Sequence, residues 1–184
     1  LEIVRVTVPE GWNIFDIGNY LEKNLIKFDK PKFLDLAKNK EGYLFPDTYF
    51  LSKGARPDTV IDIMRNTFEQ KIGSVTALAT STHKLKEVLT MASILEEESL
   101  TMENRRIVAG ILWKRIAIGM QLQVDSTFSY VNGKGTRELT LDDLQIDSPY
   151  NTYKYKGLPP GPISNPGLGA INAALNPIKT KYLY

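Results

Sequence analysis

Cysteine is absent from the 184 residues and histidine occurs once, as His83. The first absence excludes a disulfide framework, thiolate metal sites and a cysteine nucleophile. The second argues against a His-rich metal centre and leaves any Ser-His machinery resting on one residue. Charge of one sign is lacking too: 23 basic residues face 21 acidic ones, for a net charge of +2. That balance provides no basic footprint for a nucleic acid. No apolar run approaches the ~18 residues of a spanning helix, and no charged-then-apolar leader opens the chain. The chain begins and ends abruptly, so it reads as a fragment of a longer protein. Hydrophobic residues at 42% and charged residues at 24% describe an ordinary globular domain, large enough to hold a core without staples.

Leu1–Val8 alternates and is rich in β-branched residues, which predicts a strand. Ile14, Ile17, Leu21 and Leu25 recur at helical spacing, and a short helix is expected from Pro31 with Phe33, Leu34 and Ala37 inward. Residues 1–40 thus read as a small α+β appendage. Residues 41–51 are aromatic and β-rich, and Pro46 makes them an edge strand or a bent loop. A helix is expected from Pro57 with Val60, Ile61, Met64, Phe68 and Ile72 on one face, broken or kinked at Gly73. The next runs from Leu85 to Leu95 with Ser81 or Thr82 as cap. Another runs from Met102 to Ile118 with Ile107, Val108, Ile111 and Leu112 inward and Gly119 past its end. Six of the ten prolines and six of the nine tyrosines fall from Tyr130 onward, which predicts an extended, preorganised segment. One helix is expected there, from Pro166 to Asn176, capped by Asn165. The fold class is α+β: a mainly helical domain with a small β portion and a Pro/Tyr-rich extended segment.

Carboxylates concentrate at Glu96, Glu97 and Glu98. On a helical wheel at roughly 100° per residue, the apolar side chains of the Leu85 helix sweep an arc of about 220°, so this helix is central. Glu97 falls in the polar sector. Glu96 and Glu98 fall near the edges of the apolar arc and are expected to face protein or a cleft. A carboxyl at a helix C-terminus, flanked by others and partly buried, is disfavoured as an anion, which suits a general acid. A solvated acidic helix end, bridged to Arg105 or Arg106, is the competing reading. Gln123 and Asp125 share a face if residues 119–127 are extended, while Asp125 taken alone reads as the cap of a short helix through Tyr130. Tyr150 and Asn151, with Tyr153 and the run from Gly157 to Gly167, combine flat apolar area with donors and acceptors that suit sugar rings. The alternative is a rigid connector. His83 is expected to face solvent, and Gly133-Lys134-Gly135-Thr136 reads as a turn.

Five separated motifs then stand in one order: Glu41–Tyr49, Ala92–Ser99, Asn104–Gly110, Arg115–Gln123, and Tyr150-Asn151-Thr152-Tyr153 with Gly157–Ile163. This series resembles the YceG-like family of endolytic murein transglycosylases over about residues 41–184. Residues 1–40 resemble the end of that family's smaller LysM-like region. The resemblance implies cleavage of peptidoglycan glycan strands between N-acetylmuramic acid and N-acetylglucosamine, without water, leaving a 1,6-anhydro end. It assigns the catalytic role to Glu98, the second of a Glu-x-Glu pair before Ser99. Glu96, Gln123, Asp125, Tyr150 and Asn151 are expected to support the site or bind substrate. It implies no cofactor and no metal. Glycan strands are the expected partner, with cell-wall synthesis proteins as further candidates. It also implies a parent anchored in the membrane with this domain on the extracytoplasmic side. Two departures stand out: Glu97 replaces a usual basic residue, and Ser126 a usual proline. A hydrolytic muramidase and a non-catalytic glycan- or partner-binding module are the rival readings.

Overall fold

A computed structural model describes residues 2–184; Leu1, at the head of the expected first strand, lies outside the described residues. The order is β1 (Ile3–Thr7), α1 (Ile14–Asn24), α2 (Lys30–Ala37), β2 (Thr48–Ser52), α3 (Pro57–Gly73), α4 (Leu85–Glu98), α5 (Met102–Ala117), α6 (Phe128–Val131) and α7 (Leu168–Leu175), with short 3-10 turns between. The fold is α+β, as the periodicity predicts.

The chain divides into two compact units. One runs to Thr76 and takes back Ser164–Leu168; the other holds Ala77–Ile163 and Gly169–Tyr184. The first unit holds both strands: β1 runs antiparallel to β2, Val6 opposite Tyr49 and Val4 opposite Leu51, and the sheet has no other strand among the described residues. An isolated hairpin-like pair is marginal in water, so its inner face is closed by Ile17, Leu21, Phe33, Val60, Ile61 and Met64. Pro46 precedes β2 and interrupts no ladder. Asn13 caps α1 in a reciprocal box with Asp16, and Asp29 caps α2 by accepting from the Lys32 N–H.

Asn165 is not the expected helix cap. It is fully buried in the first unit, where its Oδ1 accepts from the Gly42 and Leu44 N–H groups. Its Nδ2 donates to the Trp12 carbonyl and to Glu41 Oε1 at 2.6 Å. Glu41 in turn accepts the N–H of Ile14 at the start of α1. One carboxamide thereby satisfies backbone groups from two loops that burial would leave unpaired.

In the second unit, α4 is buried without interruption from Val88 to Leu95, as its wide apolar arc demands. Its cap differs from expectation: the Glu87 carboxylate accepts the Lys84 N–H at 2.7 Å, while Ser81 Oγ accepts that of His83. The buried stripe of α5 is Arg105, Ala109, Leu112 and Arg115, not the expected Ile107, Val108 and Ile111, which are half-buried. The face rotated because both arginines find oxygen acceptors inside. The opposite shoulder of α5 holds the C-terminal segment by its main chain. Trp113 donates to the Ala174 carbonyl, Arg106 to Asn176, and Lys114 to Thr180 and Lys181.

Candidate active site

The last turn of α4 presents three consecutive glutamates with different surroundings. Glu96 is nearly covered and pairs with the equally covered guanidinium of Arg105. Arg105 Nε also donates to the Ser99 carbonyl at 2.8 Å. One arginine thus ties the end of α4 to the turn behind it. A side chain on Gly169 would crowd that guanidinium. Glu97 and Glu98 are exposed. The wheel groups Glu96 with Glu98 as facing protein or a cleft, but the fold separates them: Glu96 faces protein, whereas Glu98 is exposed at the helix end. Among the described residues, none donates a hydrogen bond to the Glu98 carboxylate.

The turn at Asp125–Thr127 packs against α4. Residues 121–125 alternate as expected, Leu122 and Val124 buried, Gln123 exposed and Asp125 half-buried. Gln123 adopts φ +53°, a left-handed conformation uncommon outside glycine. Its N–H is held by the Thr152 carbonyl at 3.1 Å, and the Val124 N–H by Thr152 Oγ1. Strain of this kind persists only where surrounding contacts over-determine it.

Asp125 is not a helix cap. Its carboxylate accepts from the Tyr153 hydroxyl at 2.6 Å. Burial pushes the Tyr153 phenol up to about 12, and the hydrogen bond to Asp125 and the negative charges of Asp125 and Glu98 add to it; the Arg115 cation opposes them. Glu98, Asp125, Tyr153 and Arg115 therefore share one electrostatic neighbourhood. Arg115 is buried, donates to the Leu122 carbonyl at 2.5 Å and to the Leu183 carbonyl at 2.7 Å, and lies over the Tyr184 ring.

Asn151 is fully buried. Its Nδ2 donates to the Leu144 and Ile146 carbonyls, and its Oδ1 accepts from the Tyr153 N–H. It supports the loop that carries Tyr153 and does not reach an opening. Tyr150 is half-buried, its ring 5.0 Å from that of Tyr130. The Ile163 N–H is anchored on buried Ser93 Oγ of α4. Ser126 Oγ is buried with no hydrogen-bond partner among the described residues. His83 is half-buried, its ring stacked on Trp113 at 3.7 Å and 9°. No group of three or more His, Asp or Glu among the described residues is arranged to hold a metal ion.

Arg115 is not singled out by the sequence, Tyr153 enters only within the sugar-suited run, and Arg105 only as a bridging partner of a solvated helix end. The available signal was a pair of arginines on the same helical face as Ala109 and Leu112. A cation on an apolar stripe needs a buried acceptor.

The YceG-like family model matches residues 2–184. A Bacillus subtilis (strain 168) protein named endolytic murein transglycosylase is 36% identical over 98% of this chain and 58% of its own length. A protein of the same name from Streptococcus pneumoniae serotype 2 is 35% identical over 78% of this chain and 27% of its own length. The chain therefore spans well under two thirds of these relatives. The crystal structure of a yceG-like protein from Listeria monocytogenes superposes with a TM-score of 0.90 at 31% identity, over all of this chain and 70% of that one.

Proposed function

The chain belongs to the YceG-like family, and from that premise we propose that it is an endolytic murein transglycosylase in which Glu98 acts first as general acid and then as general base. One observation carries this assignment: of the carboxylates gathered at the end of α4, Glu96 is neutralised by Arg105 and Asp125 is held by Tyr153, while Glu98 is exposed and unclaimed by any described donor.

Glu98 gives its proton to the oxygen linking N-acetylmuramic acid to N-acetylglucosamine. The bond from that oxygen to the muramic C1 breaks, and positive charge spreads over C1 and the ring oxygen. The C6 hydroxyl of the same sugar attacks C1, and its proton passes to the Glu98 carboxylate. No water is consumed, a 1,6-anhydro ring closes, and the enzyme returns to its starting protonation state. One carboxyl suffices, whereas glycosidases of the ordinary kind place two about 5–9.5 Å apart. Asp125, held by Tyr153, supplies negative charge close to the developing cation. Gln123 and Tyr150 orient the strand, Asn151 holds the Tyr153 loop, and Glu96 with Arg105 fixes the turn that aims Glu98. Residues 1–40 are assigned to a LysM-like region and 41–184 to the catalytic region. The reaction places the domain outside the cytoplasm, where murein lies. The reading includes a membrane-anchored parent protein; among the described residues no helix is long and apolar enough to cross a membrane.

Purified glycan strands incubated with the chain test this. Anhydro ends, lighter by one water than hydrolysed ends, are expected. Hydrolysed ends would instead make the protein a muramidase with Asp125 as the second carboxylate. Glycan binding without cleavage would make it a binding module.

A further inference from the structure

The second unit carries a groove with no assigned role. Two adjoining cavities of about 560 and 510 Å³ share Leu158 and Pro160 as walls. Pro149, Tyr155 and Lys156 line the first. The stacked His83 and Trp113, with Lys86 and Pro159, line the second. The groove is tied to the candidate catalytic cluster through the chain: Lys156 in its wall bridges to Gln121, and three residues before Lys156 the Tyr153 hydroxyl donates to Asp125. Three residues of chain reach at most about 11 Å, so the Lys156 end of the groove lies close to the Tyr153–Asp125 pair.

Its chemistry is mixed in a specific way. Prolines fix the walls, which lowers the cost of ordering them around an extended ligand. The acidic rim groups are engaged: Asp147 accepts from the Tyr155 hydroxyl and pairs with Lys154, and Glu87 accepts the Lys84 N–H. Lys86 and Lys156 are exposed and take no part in an ion pair among the described residues. An extended ligand with small apolar groups and free carboxylates matches these walls and these cations. In murein the sugars are uncharged once the lactyl carboxyl is in amide linkage, so the free carboxylates belong to the peptide stems.

We propose that this groove binds the peptide stem of a muramyl residue near the cleaved linkage, with Lys86 and Lys156 meeting its carboxylates. The proposal rests on the transglycosylase reading for its ligand. It is tested by calorimetric titration of the 184-residue chain with a free stem tetrapeptide, L-alanyl-γ-D-glutamyl-diaminoacyl-D-alanine. Saturable binding is expected, weakened about tenfold in the double variant Lys86→Glu with Lys156→Glu and retained in Lys86→Arg with Lys156→Arg. In cleavage assays the wild type is expected to favour strands bearing stems over amidase-stripped strands, and the charge-reversed variant to lose that preference. No saturable binding by the wild type, or equal affinity in the reversed variant, overturns the proposal. A wild type that cleaves neither strand contradicts the transglycosylase reading, while the peptide titration still decides the groove.

Discussion

Glu96 and Glu98 stand two residues apart, share an element and differ in what surrounds them. The charge of Glu96 is balanced by Arg105, and both partners are nearly out of solvent. Replacing Arg105 by Met leaves a covered carboxylate without its cation, and about 3–5 kcal/mol of stability is expected to vanish in urea unfolding. Arg105→Lys should recover part of it, since an ammonium cannot serve Glu96 and the Ser99 carbonyl with the same fork geometry. Tyr153 invites a different test. With its phenol near 12 it stays protonated across the working range and acts only as a donor to Asp125. Tyr153→Phe is expected to lower kcat about tenfold with little change in KM. It should leave any alkaline limb of the rate profile below pH ~10 in place, as the phenol does not titrate there. An alkaline limb that disappears in Tyr153→Phe would contradict this.

At the level of elements, α4 was legible because a run of apolar side chains around most of its circumference has only one stable setting, the middle of a core. The face of α5 was less so. Periodicity alone pointed to Ile107, Val108 and Ile111, and the structure buries a stripe beginning and ending in arginine because backbone carbonyls and Glu96 await them. Acceptors contributed by distant segments leave no local trace in the sequence. The same helix makes a steric prediction. A methyl on Gly110 would collide with the Ile178 carbonyl oxygen, so Gly110→Ala should release the segment after Asn176. Accelerated proteolysis there is expected, with about 1–3 kcal/mol lost. The loop from Asn132 to Asp143 responds to pH. Lys134 and Thr140 hold the Asp143 carboxyl down to about 2. Because that value lies below the ~3.9 of an unfolded chain, the loop's stabilisation is complete above pH ~4. It drains away as pH falls through about 2. Amide exchange of residues 132–146 should accelerate over that interval in the wild type, and Asp143→Asn should flatten the dependence.

For the molecule as a whole, the chain's order conceals its organisation. Asn165 belongs by sequence to the Pro/Gly-rich run beyond Gly157, and the local pattern of Asn followed by Pro and Gly suggested a helix cap. Its partners are Trp12, Glu41, Gly42 and Leu44, more than a hundred residues away, and only a folded chain discloses them. Asn165→Ala would orphan several buried groups at about 1–3 kcal/mol each and should lower the thermal midpoint of the first unit. By contrast, hydrophobic periodicity sufficed to anticipate the α+β class, and the order of five motifs the family. The central claim is that one carboxyl, that of Glu98, both donates and reclaims the proton. The most direct measurement is mass analysis of the ends produced from purified glycan strands by the wild type and by Glu98→Gln. The account predicts 1,6-anhydro ends from the wild type and a rate lower by 10²–10⁴-fold in the variant. Cleavage by Glu98→Gln at the wild-type rate, or ends that carry an added water, would contradict it.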